Sequence, residues 1–171
     1  MDNLYAPWRD NYTSDTARHP DAESVTEDTC VFCIQLKKNN DEEYFILKRF
    51  KHSFVVMNKY PYNAGHLLVL PLKHIGNFSE ISDETRNEIM EVTQKSTEIL
   101  KETLNCEGVN IGMNLGKAAG AGIPSHLHMH ILPRWLGDTN FLPTLTKTKQ
   151  ISFDMGTIYE KLKPTFANLK L

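Results

Sequence analysis

From residue 126 to residue 131 the chain alternates without a break: His126-Leu127-His128-Met129-His130-Ile131. Side chains of a β-strand point alternately to its two faces, so a two-residue period is a strand period. The alternation predicts a strand over 126–132, ended by Pro133. His126, His128 and His130 fall on one face, and Leu127, Met129 and Ile131 on the face turned to a core. Three of the seven histidines of the chain lie in this stretch, so the strand gathers imidazoles as well as packing.

The remaining segments are read around that strand. High β propensity and apolar runs predict strands over 43–50, 53–58 and 66–71, with turns at Lys51-His52 and at Tyr60-Pro61-Tyr62-Asn63-Ala64-Gly65. Ser82 is a suitable N-cap, Asp83 and Glu84 suit the positive end of a helix dipole, and Ile89, Val92, Leu100 and Leu104 follow a helical stripe; a long helix over 82–105 follows. A strand over 108–114, a Gly/Ala-rich loop over 115–124 and a terminal helix over 154–162 complete the reading. Strands that do not alternate with helices give an α+β fold with a mostly antiparallel sheet of about five strands. The polar stretch at 11–29 reads as a linker behind an aromatic segment at 4–9. The expected organisation is an arm and linker over 1–29 and a single domain over 30–171.

Composition narrows the function. A net charge of −2 provides no basic field for nucleic acid and no polybasic tail for a membrane surface. No apolar run is long enough to span a bilayer, and three cysteines do not make a disulfide framework. The expected compartment is the cytoplasm, with reduced thiols.

Three co-facial histidines admit three chemistries: a solvated strand face, a three-histidine zinc site, or a nucleophilic imidazole with imidazole helpers. The preceding loop favours the last. Gly116, Gly120 and Gly122, among Ala118, Ala119 and Ala121, allow backbone N–H groups to approach an anion; Lys117 and Arg134 add cations nearby.

The run His126-Leu127-His128-Met129-His130-Ile131-Leu132-Pro133-Arg134 resembles the signature of the histidine triad (HIT) family. Asn63-Ala64-Gly65-His66-Leu67-Leu68-Val69-Leu70-Pro71 is similar to that family's Gly-His strand. The resemblance implies a HIT-like fold and a nucleotide substrate. It implies that His128 attacks an α-phosphorus, with His130 near the scissile phosphate, His126 flanking, and backbone N–H groups around Gly120 and Gly122 meeting the developing charge. It places Asn58 on the ribose, against its other reading as a turn residue, and Asn114 on phosphate, against a strand-end cap. Cys30-Val31-Phe32-Cys33 by itself is a redox pair, half a zinc site or two buried thiols. The resemblance to some bacterial members implies a structural zinc on Cys30, Cys33, His74 and His126; no organic cofactor is expected. Cys106 reads as a small buried residue.

Leu4-Tyr5-Ala6-Pro7-Trp8-Arg9, Asn58-x-Tyr60-Pro61-Tyr62-Asn63-x-Gly65-His66 and Pro133-Arg134-Trp135-x-Gly137-Asp138-x-Asn140-Phe141 resemble the diadenosine polyphosphate phosphorylase-like branch. That branch implies cleavage of diadenosine tetraphosphate by phosphate, and the family implies a homodimer. An adenylate phosphoramidase and a nucleotide-binding regulatory protein without turnover are the other readings. Gly122, Ile123 and Pro124 stand where the common hydrolase branch has Gln and Ser or Thr, so backbone contacts carry more of the phosphate binding here.

Overall fold

The computed structural model describes residues 25–140, 142–146, 150–151 and 153–171; the aromatic segment at 4–9, most of the polar stretch after it, and Phe141 lie outside the described residues. Five strands form one antiparallel sheet: β1 (Ile46–Arg49), β2 (Ser53–Met57), β3 (Leu67–Pro71), β4 (Gly108–Met113) and β5 (Met129–Arg134). Their order is β1-β2-β3-β5-β4. The helices are α1 (Val31–Lys38), α2 (Asp83–Leu104), the short α3 (Leu142–Leu145) and α4 (Met155–Asn168). Among the described residues no helix is long and apolar enough to cross a membrane.

Both sheet faces are covered, which explains why β2 and β3 read as unbroken apolar runs. Val55, Leu67, Val69 and Ile131 turn to one face and pack with Ile89, Val92 and Leu100 of α2 and with Leu162 and Phe166 of α4. Phe54, Val56, Leu68 and Leu70 turn to the other and pack with Cys30, Phe32 and Cys33 at the start of α1. Each fully buried Leu, Ile or Phe in these layers contributes roughly 1.5–3 kcal/mol.

The long helix begins and ends as read. Ser82 Oγ accepts the Thr85 N–H, and Asn105 closes the helix in the left-handed region at φ 52°. Other boundaries differ. The first strand starts at Ile46 rather than residue 43, because the amides of Tyr44, Phe45 and Ile46 donate to Asn40, Glu42 and Asp41 within a turn. Residues 25–29, assigned by composition to the linker, form a turn, and Val25 packs against the second core layer. The terminal helix continues through Pro164 to Asn168.

The histidine strand shifts most. It begins at Met129, not at residue 126, and it contains Pro133 instead of stopping there. His126 closes a turn by donating to the Ile123 carbonyl, and the Leu127 N–H goes to the Ile75 carbonyl. At the other end the Arg134 carbonyl faces β4, accepting from Glu107, so Pro133 points the opposite way. On that side β3 has already ended opposite Ile131, and no N–H is needed. The division of faces survives: Leu127, Met129 and Ile131 join the α2 side of the core.

Candidate functional site

The end of β2, the start of α1 and the residues entering β5 enclose a cleft of about 560 Å³. His128 and His130 line its floor, with Phe32 and Ile123 beside them, Asn58 on the β2 side and Gly120 and Gly122 on the loop side. The two rings meet edge to face, with centroids 5.0 Å apart.

Hydrogen bonds assign the protons. The His126 carbonyl accepts only, so His128 donates to it through Nδ1 at 2.8 Å. Nε2 of neutral His128 therefore carries a lone pair. The Tyr62 backbone N–H donates to His66 Nδ1 at 3.1 Å, which leaves the proton of neutral His66 on Nε2. That N–H faces His130 Nδ1 at 2.9 Å. His130 must then carry its own hydrogen on Nε2, a buried atom with no partner among the described residues. The cleft thus holds one imidazole lone pair and, on the neighbouring ring, one N–H donor. Burial lowers the pKa of His128; burial, then His128, pulls that of His130 down to about 4, so both rings are neutral near pH 7.

His66 is a site residue that the sequence reading did not assign. Leu68 lies opposite His130 across the β3–β5 pairing, so His66 is its diagonal neighbour. Only the strand register reveals this. Tyr62 stacks on His130 at 5.8 Å and 14° and lies 4.7 Å from His66.

His126 does not share the cleft. Its ring is fully buried and faces Cys30, Cys33 and His74. Its Nε2 donates to the Pro71 carbonyl at 2.9 Å, leaving Nδ1 bare, 3.4 Å from Cys30 Sγ and 3.5 Å from Cys33 Sγ. His74 repeats the arrangement: Nε2 donates to the Val25 carbonyl at 3.1 Å and Nδ1 lies 3.4 Å from Cys33 Sγ. The ligand atoms of all four residues lie within 4.8 Å of one another, so they form a Cys₂His₂ group that can hold a metal ion. A tetrahedral zinc with ordinary bond lengths would set S···N edges of about 3.6 Å. Carbonyl partners on the outer nitrogens are the usual support of metal-bound imidazoles. Burial, followed by Cys30, pushes the Cys33 thiol up to about 12, and burial holds His126 down to about 4, the neutral form that ligates. All three cysteines are free thiols.

The other expected contacts divide. Asn58 lines the cleft, but its side-chain oxygen already accepts the Tyr60 N–H at 3.0 Å, and its amide nitrogen lies 3.2 Å from His66 Nδ1. Asn114 sits just past β4, outside the cleft lining. Gly120 adopts φ 89° and its N–H donates to the Lys117 carbonyl, whereas the Gly122 N–H has no acceptor among the described residues. Neither Lys117 nor Arg134 lines the cleft. Arg134 instead pairs with the largely buried Asp138 at 2.6 Å. Asp138 also accepts from Asn63 and the Trp135 N–H, while Asn63 donates to the Pro133 carbonyl, so this network joins the turn before β3 to the end of β5.

The family model for the HIT domain matches residues 39–135. The chain is similar to an AP-4-A phosphorylase of Mycobacterium tuberculosis, 34% identical over 151 residues, covering 88% of this chain and 77% of that protein. A Zn-bound histidine triad family protein from Mycobacterium smegmatis superposes with a TM-score of 0.68 at 24% identity, over 83% of this chain and 96% of the other. A hypothetical histidine triad nucleotide-binding protein from Sulfolobus tokodaii does so with a TM-score of 0.66 at 26% identity, over 81% and 93%.

Proposed function

The chain belongs to the HIT domain family, and on that premise we propose that it cleaves dinucleoside polyphosphates at an α-phosphate through a nucleotidyl-histidine, with inorganic phosphate as the acceptor. The observation that carries the reading is the bond from His128 Nδ1 to the His126 carbonyl, which leaves the Nε2 lone pair at the cleft. His128 Nε2 forms a bond to the α-phosphorus while the bond to the polyphosphate leaving group breaks in line. The Nε2–H of His130 hydrogen-bonds the oxygen that departs. An oxygen of phosphate then attacks the same phosphorus, the P–N bond breaks and neutral His128 returns. From diadenosine tetraphosphate the products are ATP and ADP.

The other residues take supporting parts in this proposal. The Gly122 N–H, with the backbone around Gly120, meets charge on the phosphorus oxygens, since Gly122, Ile123 and Pro124 bring no polar side chain. Asn58 contacts the ribose with the hydrogen-bonding capacity its turn leaves over, and Asn114 reaches phosphate only if the loop moves towards it. The metal of the Cys₂His₂ group is zinc, in a closed structural role, because two thiolates and two imidazoles complete a tetrahedron without a site for substrate. A homodimer forms through β4, an edge strand that among the described residues pairs only with β5 and exposes about half of Ile111.

The test is incubation with diadenosine tetraphosphate, with and without phosphate, and identification of the products. ATP plus ADP formed only with phosphate supports the proposal. Equal cleavage without phosphate removes phosphorolysis, and no cleavage in either removes the substrate.

A further inference from the structure

We infer that Gly76 is a positioning residue for the His128 imidazole, acting through the backbone at 124–127; the inference rests on the reading of His128 as nucleophile. Residues 74–76 run beside the segment that enters β5. His74 points into the Cys₂His₂ group, the Ile75 carbonyl accepts the Leu127 N–H at 2.8 Å, and Gly76 packs against the chain just before His126. A Cβ on Gly76 would lie 2.8 Å from the Pro124 carbonyl oxygen, 2.8 Å from Ser125 Cα and 3.0 Å from the Ser125 carbonyl carbon. These are backbone atoms, with no flexible side chain to turn aside.

Real Cβ contacts essentially never fall under 3.0 Å, so any larger residue must open this contact from 2.8 Å. Strand β5 begins only at Met129, so residues 124–128 lie outside its ladder of sheet bonds and are the part of this contact free to give way. The His126 carbonyl lies within that stretch, and it accepts the proton that His128 carries on Nδ1. A glycine at 76 thus helps keep the lone pair of the nucleophile on Nε2, the nitrogen at the cleft. Displacements below 1 Å at such groups are costly, since misplacement by about 1 Å can remove about 100-fold in rate.

The full-length protein, nitrogen-15 labelled and carrying its bound metal, tests this directly. Two-bond hydrogen–nitrogen correlations identify the protonated nitrogen of His128. Wild type is expected to show the Nδ1–H form, and Gly76→Ala a mixture of both tautomers. With diadenosine tetraphosphate and phosphate, Gly76→Ala is expected to lose about tenfold or more in kcat, with KM changed by less than about threefold. Ile158→Val, a buried change in α4 away from the cleft, is expected to keep both the tautomer and kcat. Replacing the Leu127 amide by an ester removes the N–H given to Ile75 without adding bulk; the same tautomer mixing is expected there, whether or not Gly76→Ala folds. A His128 tautomer unchanged in these variants overturns the inference. Absence of turnover in wild type would overturn the functional reading instead, and the tautomer comparison would still decide the role of Gly76.

Discussion

Replacing His66 with phenylalanine removes the hydrogen bond that selects the tautomer of His130 while keeping a flat ring in the space. His66 is 1% exposed, so water cannot take its place. Its Nε2–H is the partner of His130 Nδ1, and its own Nδ1 is fixed by the Tyr62 N–H. Without it, His130 keeps a buried nitrogen unpaired in the productive tautomer, a cost of about 1–3 kcal/mol. At about 1.4 kcal/mol per tenfold, the hold that fixes the His130 ring with its hydrogen on Nε2 weakens by a factor between about 5 and about 150. The expected outcome for His66→Phe is a kcat lower by about 10- to 100-fold, with KM within about threefold, because the lost interaction acts on the departing oxygen rather than on binding. His66→Gln, whose amide N–H can reach the same nitrogen, is expected to recover part of the loss. Steady-state release of ATP from diadenosine tetraphosphate, in saturating phosphate, measures it. A His66→Phe enzyme with kcat within about twofold of wild type would refute the relay from His66 to His130.

Two further outcomes follow from the surrounding structure. Cys30→Ala is expected to lose the bound zinc by metal analysis and to melt at a lower temperature, because it leaves His126 and Cys33 buried around an incomplete ligand set; unchanged zinc content would disprove the assignment. The carboxyl of Asp138 is held well below the usual carboxylate range, first by its hydrogen bond from Arg134. A depressed folded pKa contributes stability that is present above the unfolded value of about 3.9 and lost as pH falls through the folded one. Asp138→Asn is therefore expected to destabilise the protein at pH 7 by about 1–3 kcal/mol, mostly through broken buried hydrogen bonds. The gap from wild type should shrink as the pH of urea melts is lowered below about 4; a gap independent of pH would contradict it.

What could be read in the sequence was what local rules determine. The long helix carries its own start and stop at Ser82 and Asn105, and the histidine alternation marks a strand and its buried face. The Cys-x-x-Cys pair, His74 and His126 converge as the resemblance implied, although they are up to 96 residues apart. What could not be read depends on distant partners. The helix Val31–Lys38 is short and owes its place to Phe32 and Cys33 packing under the sheet. The strand begins three residues late because Ile75 takes the Leu127 amide. Arg134 reads as a cation near the phosphate site until Asp138 is seen to hold it. His66 reads as the start of an apolar strand until the register sets it diagonally across from His130. The three histidines, legible as one cluster, divide between a metal group and a cleft because the chain turns at His126.

Covalent nucleotidylation of His128 is the step on which the proposed reaction turns. Diadenosine tetraphosphate carrying phosphorus-32 at its α-phosphates, mixed with the protein in the absence of phosphate and quenched in alkali, tests it by peptide mapping. Label is expected on His128 in the peptide that spans the triad, with its discharge as ADP on adding phosphate, and neither label nor turnover in His128→Asn. Label on another residue, or wild-type turnover in His128→Asn, would contradict it.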